Sequence, residues 1–151
     1  LLNYGDANRM NEMSAIDGWM VSRGALGNPF VFREIKTGDA QVSLEEWYHA
    51  VKSHIDWQEE VYKTKPHAPV CMRKHLLWYL KGWLFAKPLR DKLITLHSFT
   101  EMRNELALFR DKLFNESIAY RNAKGNRDDA FSWDPKYQMD RHHDAAVFCE
   151  N

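Results

Sequence analysis

The stretch Ile16-Asp17-Gly18-Trp19-Met20-Val21 reads as a β-strand, and no other part of the chain does so convincingly. It is mostly apolar on both faces, the pattern of a strand buried inside a parallel sheet rather than one exposed in a hairpin. A parallel strand needs neighbours to pair its backbone N–H and C=O groups, and this sequence offers none. The expectation is therefore a piece of something larger, an α/β architecture whose sheet is severed.

Everything else with a period reads as helix. Ala7, Met10 and Met13 space a short helix over residues 6–13. Asn28-Pro29 places a capping residue before a proline at the first helical position, and the following helix runs through Lys36 to a stop at Gly38. Ser43 and Glu46 form a capping box that opens a helix with Leu44, Trp47, Tyr48, Val51, Ile55 and Tyr62 on its apolar stripe. Beyond Lys65-Pro66 a helix is expected from about Val70 to Lys81, ended by Gly82, with Met72, Leu76, Tyr79, Leu80 and Trp83 turned inward. A short helix over 89–96 follows. Ser98 and Glu101 then repeat the capping box before a helix carrying Met102, Leu106, Phe109, Leu113 and Phe114. From about Tyr120 the period dissolves, and that tail reads as disordered or docked on a partner.

With 151 residues the chain fits one ordinary domain, or one plus a tail. Its 21 basic and 21 acidic side chains exclude a uniformly basic nucleic-acid binder, so the distribution of charge matters more than the sum. No run approaches the roughly 18 apolar residues of a membrane span, and Leu1 to Asp6 lack the pattern of a signal peptide. The chain reads as soluble and cytoplasmic. Cys71 and Cys149 are far apart and read as free thiols; the acid-flanked pair His142-His143 reads as a solvated tail, so no metal site is expected.

Two stretches carry chemistry. Ser22-Arg23-Gly24-Ala25-Leu26-Gly27-Asn28-Pro29 lies between the strand and a helix start, where small residues let a backbone approach a ligand and free N–H groups attract an anion. Arg23 adds a fork-shaped phosphate partner. The plainer reading is a βα turn whose glycines serve geometry alone. Between Val61 and Lys92, eight basic residues (Lys63, Lys65, Arg73, Lys74, Lys81, Lys87, Arg90, Lys92) face only Asp91, a local +7, whereas residues 39–60 are acidic. That patch either tracks a phosphate backbone or pairs its charges with the acidic helix across a solvated face. His75 suits hydrogen bonding to RNA or to a neighbouring helix, and Trp78 and Tyr79 suit the core better than a base-stacking platform.

Asp17 to Ile35, taken with Met72-Arg73-Lys74-His75-Leu76-Leu77-Trp78-Tyr79-Leu80-Lys81-Gly82 at this separation, resembles the C-terminal part of the tRNA-dihydrouridine synthases, over roughly Asp6 to Phe114. The resemblance implies a flavoprotein oxidoreductase: an eight-stranded (β/α)8 TIM-type barrel holding FMN, then a helical domain that grips tRNA. It implies reduction of uridine to 5,6-dihydrouridine, with a cysteine as proton donor and NADPH as reductant. The implied fold is mainly α, a helical bundle preceded by the final βα unit of a truncated barrel. Residues 1–38 would be the barrel remnant, 39–118 the tRNA-binding domain, and 119–151 a flexible polar tail.

By the same resemblance Ser22, Arg23 and Gly24 hold the FMN phosphate, with Ser22 standing where glycine is usual, and Arg73, Lys74, His75 and Lys81 contact RNA. The catalytic cysteine lies on earlier barrel strands, so no catalytic residue is expected in this chain and Cys71 is not a substitute. The chain alone should lack turnover, and its exposed barrel remnant is a surface for self-association. Two other readings stay open, a stand-alone helical RNA-binding module and a protein-interaction module without catalysis.

Overall fold

The computed structural model describes residues 3–124 apart from Ala15, Ala40 and Leu84, with side chains described as far as residue 116. Helix α1 (Tyr4–Met13) starts where Asn3 Oδ1 accepts the Asp6 N–H at 2.9 Å. Among the described residues there is no β-strand, which corrects the expectation for residues 16–21. The reason is the one the sequence itself supplies: without neighbours there is no ladder to join. Met20 stands 85% exposed there.

Helix α2 (Val31–Thr37) begins two residues later than its proline suggests. Asn28, Pro29 and Phe30 form a turn, in which the Val31 N–H donates to the Asn28 carbonyl and Asn28 is buried. Gly38 ends the helix in the left-handed region, as expected. Helices α1 and α2 share a small apolar cluster of Ala7, Val31 and Ile35, with Val21 and Ala25 against it. Glu34, only 8% exposed, crosses this contact and accepts the Tyr4 N–H at 3.2 Å.

Four helices enclose the larger core: α3 (Leu44–Tyr62), α4 (Ala68–Tyr79), α5 (Lys87–Leu93) and α6 (Phe99–Lys124). Trp47, Val51 and Ile55 of α3 point inward together with Met72, Leu76 and Tyr79 of α4 and Met102, Leu106, Phe109 and Leu113 of α6. Tyr62 and Phe114, expected on these stripes, stand exposed; Tyr62 closes the last turn of α3, and Phe114 lies about 100° around the helix from buried Leu113. Both capping boxes form. Glu46 does double duty: one carboxylate oxygen accepts the Ser43 N–H at 3.0 Å, the other takes Arg33 of α2 at 2.8 Å, and these partners hold its pKa below the usual range.

Helix α4 starts and ends two residues earlier than its pattern suggests. Pro69 takes the first turn, and tighter bonds from Lys81 N–H to Trp78 and from Trp83 N–H to Leu80 carry the chain away before Gly82, whose φ is +81°. Pro88 likewise draws the start of α5 forward to Lys87. Helix α6 continues past the expected end of its pattern to Lys124. Alanine, arginine and lysine there sustain a helix without needing an apolar face. The rest of the expected tail, with His142, His143 and Cys149, lies outside the described residues.

Candidate nucleic-acid interface

The glycine-rich turn folds as a single 3-10 turn over Arg23–Ala25. Ala25, Leu26 and Asn28 donate back to the carbonyls of Ser22, Arg23 and Ala25, a ladder that leaves the N–H groups of Arg23 and Gly24 outside it. Ser22 and Arg23 are exposed, and Arg23 has no carboxylate partner among the described residues. The turn is thus shaped to present donors and one cation outward. Gly27 serves another purpose. At φ +75° it lies against the C-terminal end of α4, where a Cβ would fall 2.3 Å from the Trp78 carbonyl oxygen. The two motifs that the sequence separates by some fifty residues therefore meet backbone to backbone.

On α4, Lys74, His75 and Trp78 share one face, because residues three and four apart are neighbours on a helix. Lys74 Nζ sits over the Trp78 ring at 4.9 Å from its centroid, and the His75 ring meets Trp78 edge-on at 5.2 Å. Across the α3–α4 contact, His54 lies 4.8 Å from His75, ring centre to ring centre, and its Nδ1 shares a 3.2 Å hydrogen bond with the Tyr79 hydroxyl. Sequence patterning missed His54, since a lone histidine in an acidic helix carries no spacing signal. It also missed Trp57 on the same helix, 73% exposed.

The remaining expected RNA contacts separate. Arg73 turns away to the loop between α5 and α6, donating through Nε to the Leu96 carbonyl at 2.8 Å and meeting His97 Nδ1 at 3.1 Å. It therefore has a structural task that its place in the motif does not reveal. Lys81 lies just beyond α4 and is exposed. Among the described residues no group of three or more metal-ligating side chains comes together, and no helix is long and apolar enough to cross a membrane.

The ion pairs bear on one of the two readings of the basic stretch. If the charges paired across this contact, the acids of α3 would face the basic residues of α4 and its flanking turns. They do not. Asp56 takes Lys52 at 2.6 Å and Arg103 of α6 at 2.9 Å, Glu59 takes Arg103 at 2.7 Å, and Glu46 takes Arg33. Lys87 and Lys92 are paired with Asp91 and Glu105, but Lys63, Lys65, Lys74 and Arg90 have no carboxylate partner among the described residues. The α4 side of the bundle is left cationic, with aromatic rings beside the charge.

Burial holds both imidazoles below the ordinary histidine value of 6.5, with His75 adding to the effect on His54 and Lys74 to that on His75. An unfolded chain protonates these rings before the folded one does. Their contribution to stability is thus complete above pH 6.5 and is lost as the pH falls through the lower folded values. Melting midpoints should fall between about pH 7.5 and 5.5, and less steeply in His54→Gln and His75→Gln. Equal slopes in all three proteins would show that other groups set the acid sensitivity.

The dihydrouridine synthase (Dus) family model matches residues 2–116. A probable tRNA-dihydrouridine synthase of Rickettsia bellii is 33% identical over 88 residues, 54% of this chain and 27% of that protein. A probable tRNA-dihydrouridine synthase 1 of Synechocystis is 33% identical over 103 residues, 63% of this chain and 28% of that one. For a probable tRNA-dihydrouridine synthase of Aquifex aeolicus the figures are 29% over 115 residues, 74% and 36%. The chain spans about a quarter to a third of the length of these relatives.

Proposed function

The chain belongs to the dihydrouridine synthase family, and from that we propose that it forms the C-terminal part of a flavin-dependent enzyme reducing uridine to 5,6-dihydrouridine in tRNA. In this reading NADPH is the reductant, and FMN, when bound, supplies the hydride that the uracil ring receives. The exposed turn fits the phosphate of such a cofactor: the N–H groups of Arg23 and Gly24 point outside their ladder, and Arg23 offers an uncompensated guanidinium beside Ser22. None of the chain's own side chains is assigned the proton donor's role, so turnover is expected to require residues beyond these 151. The apolar depression lined by Trp19, Val21, Phe32 and Ile35 is where we place the contact with the rest of the barrel.

The observation that carries the tRNA reading is the cationic α4 face left unneutralised by α3. Lys74, His75 and Lys81 contact the phosphate backbone in this proposal, and Arg73 lends charge at the edge while fastening the 96–97 loop. The purified chain should bind tRNA in preference to an unrelated duplex, with affinity falling as salt rises. Lys74→Ala should weaken binding about three- to tenfold and reduce the salt slope by about 0.7–0.9, the share of one phosphate contact. Binding that ignores salt, or is unaffected by Lys74→Ala, would move the tRNA contact elsewhere.

A further inference from the structure

His54 belongs to the α3–α4 cluster but has no part in the tRNA reading, yet it completes an arrangement with a chemical consequence. It and His75 approach from different helices to a ring separation of 4.8 Å, and each is only partly buried. Tyr79 orients His54 through its hydroxyl, and Trp78 backs His75. Lys74 stands exposed beside them. Among the described residues no carboxylate is paired with either ring. Its neighbour Gln58 on α3 is neutral, and Asp56 and Glu59 are taken by Lys52 and Arg103. The two arginines by which α6 meets α3, Arg103 and Arg110, are themselves held by acids, including Glu45. The groups that act on the pair are thus each other, Lys74 and the Tyr79 hydroxyl, none of them anionic.

We infer that His54, His75 and Lys74 form a subsite that takes up one phosphate diester of the RNA together with one proton. This deepens the tRNA-binding reading and rests on it. Protonating either ring of an unliganded pair places a second cation beside Lys74 with nothing to offset it. A bound phosphate diester, carrying one negative charge, is the missing counter-ion. Anion and proton therefore favour one another, and the coupling is reciprocal: acid tightens the RNA, and RNA makes the imidazoles more basic. Both helices contribute a ring, so the subsite also reads whether α3 and α4 are in register.

The test is the affinity of the full 151-residue chain for tRNA at constant ionic strength from about pH 7.5 to 5.5, with circular dichroism at each pH to confirm that the bundle is folded. Below pH 6.5 the affinity should rise by up to about tenfold per unit, the limit for uptake of one proton. His54→Gln and His75→Gln should each flatten the profile to less than about twofold, whereas His67→Gln, in the α3–α4 turn, should keep it. Calorimetric titration of the unmutated chain in two buffers of different ionisation heat gives the proton count directly, and does not depend on the variants folding. Flat binding with no proton uptake overturns the subsite while leaving tRNA binding intact. A slope that survives both glutamine variants also overturns it. Absence of binding at every pH overturns the tRNA reading and this inference with it.

Discussion

Trp47→Ala is expected to lower stability by about 3–5 kcal/mol, the range for removing a large aromatic from a packed core. Trp47 is 1% exposed, with its ring 4.5 Å from Trp83 and 6.2 Å from Phe109, so it joins α3 to α6 and to the turn after α4. Truncation opens a cavity at the point where three elements meet, and none can collapse into it without pulling the others. Much of a small domain's total stability of about 5–15 kcal/mol would go with it. Trp47→Phe separates shape from polarity. The indole Nε1 is buried without a hydrogen-bond partner, so phenylalanine removes an unsatisfied donor while keeping most of the apolar area. A loss of about 1–2 kcal/mol is expected for that variant. Urea midpoints measure both, and equal losses would mean that the indole N–H, absent from both variants, makes a favourable bond and that the lost volume does not control the site.

Gly27→Ala should destabilise by about 2–4 kcal/mol, through left-handed backbone strain and steric overlap acting together. The added carbon would meet the Trp78 carbonyl oxygen at 2.3 Å, its carbon at 2.5 Å and the Tyr79 nitrogen at 2.9 Å. These are backbone atoms and have no rotamer to swing aside. Gly18→Ala is the control, since its Cβ would meet nothing within 4 Å and its φ is not in the left-handed region. That variant should be near neutral, because a restricted unfolded chain offsets any small loss. If both alanines behave alike, the turn and α4 are not seated on one another as described.

Local chemistry was the legible part of this fold. The capping boxes at Ser43 and Ser98 and the stop at Gly38 appear where the side chains put them, because each depends on atoms within four residues. The strand at 16–21 failed for the opposite reason: its pattern describes a surface that needs partners, and pairing is not a local property. The candidate site shows the same division. Lys74, His75 and Trp78 share a face through helical spacing alone, whereas Arg73, next in sequence, is claimed by a carbonyl twenty-three residues away. The pairing of α3 acids with α6 arginines rather than with Lys74 of α4 was equally invisible, since composition gives the charges but not their neighbours. His54 and the seat of Gly27 required three dimensions from the start.

That seat has a mechanical meaning. A contact made by side chains contains hinges, for each torsion can relax and absorb a displacement. The joint between Gly27 and the end of α4 is main chain against main chain, and so behaves as a rigid strut of fixed length. Arg23 and Gly24 lie one turn before it, and Lys74 and His75 one turn before it on the other arm. Whatever is clasped by the first arm is thereby held at a set distance from whatever is clasped by the second. Under the function proposed above, in which a polynucleotide and a flavin have to meet at one point, the strut is a gauge block, built from a residue with no side chain to yield.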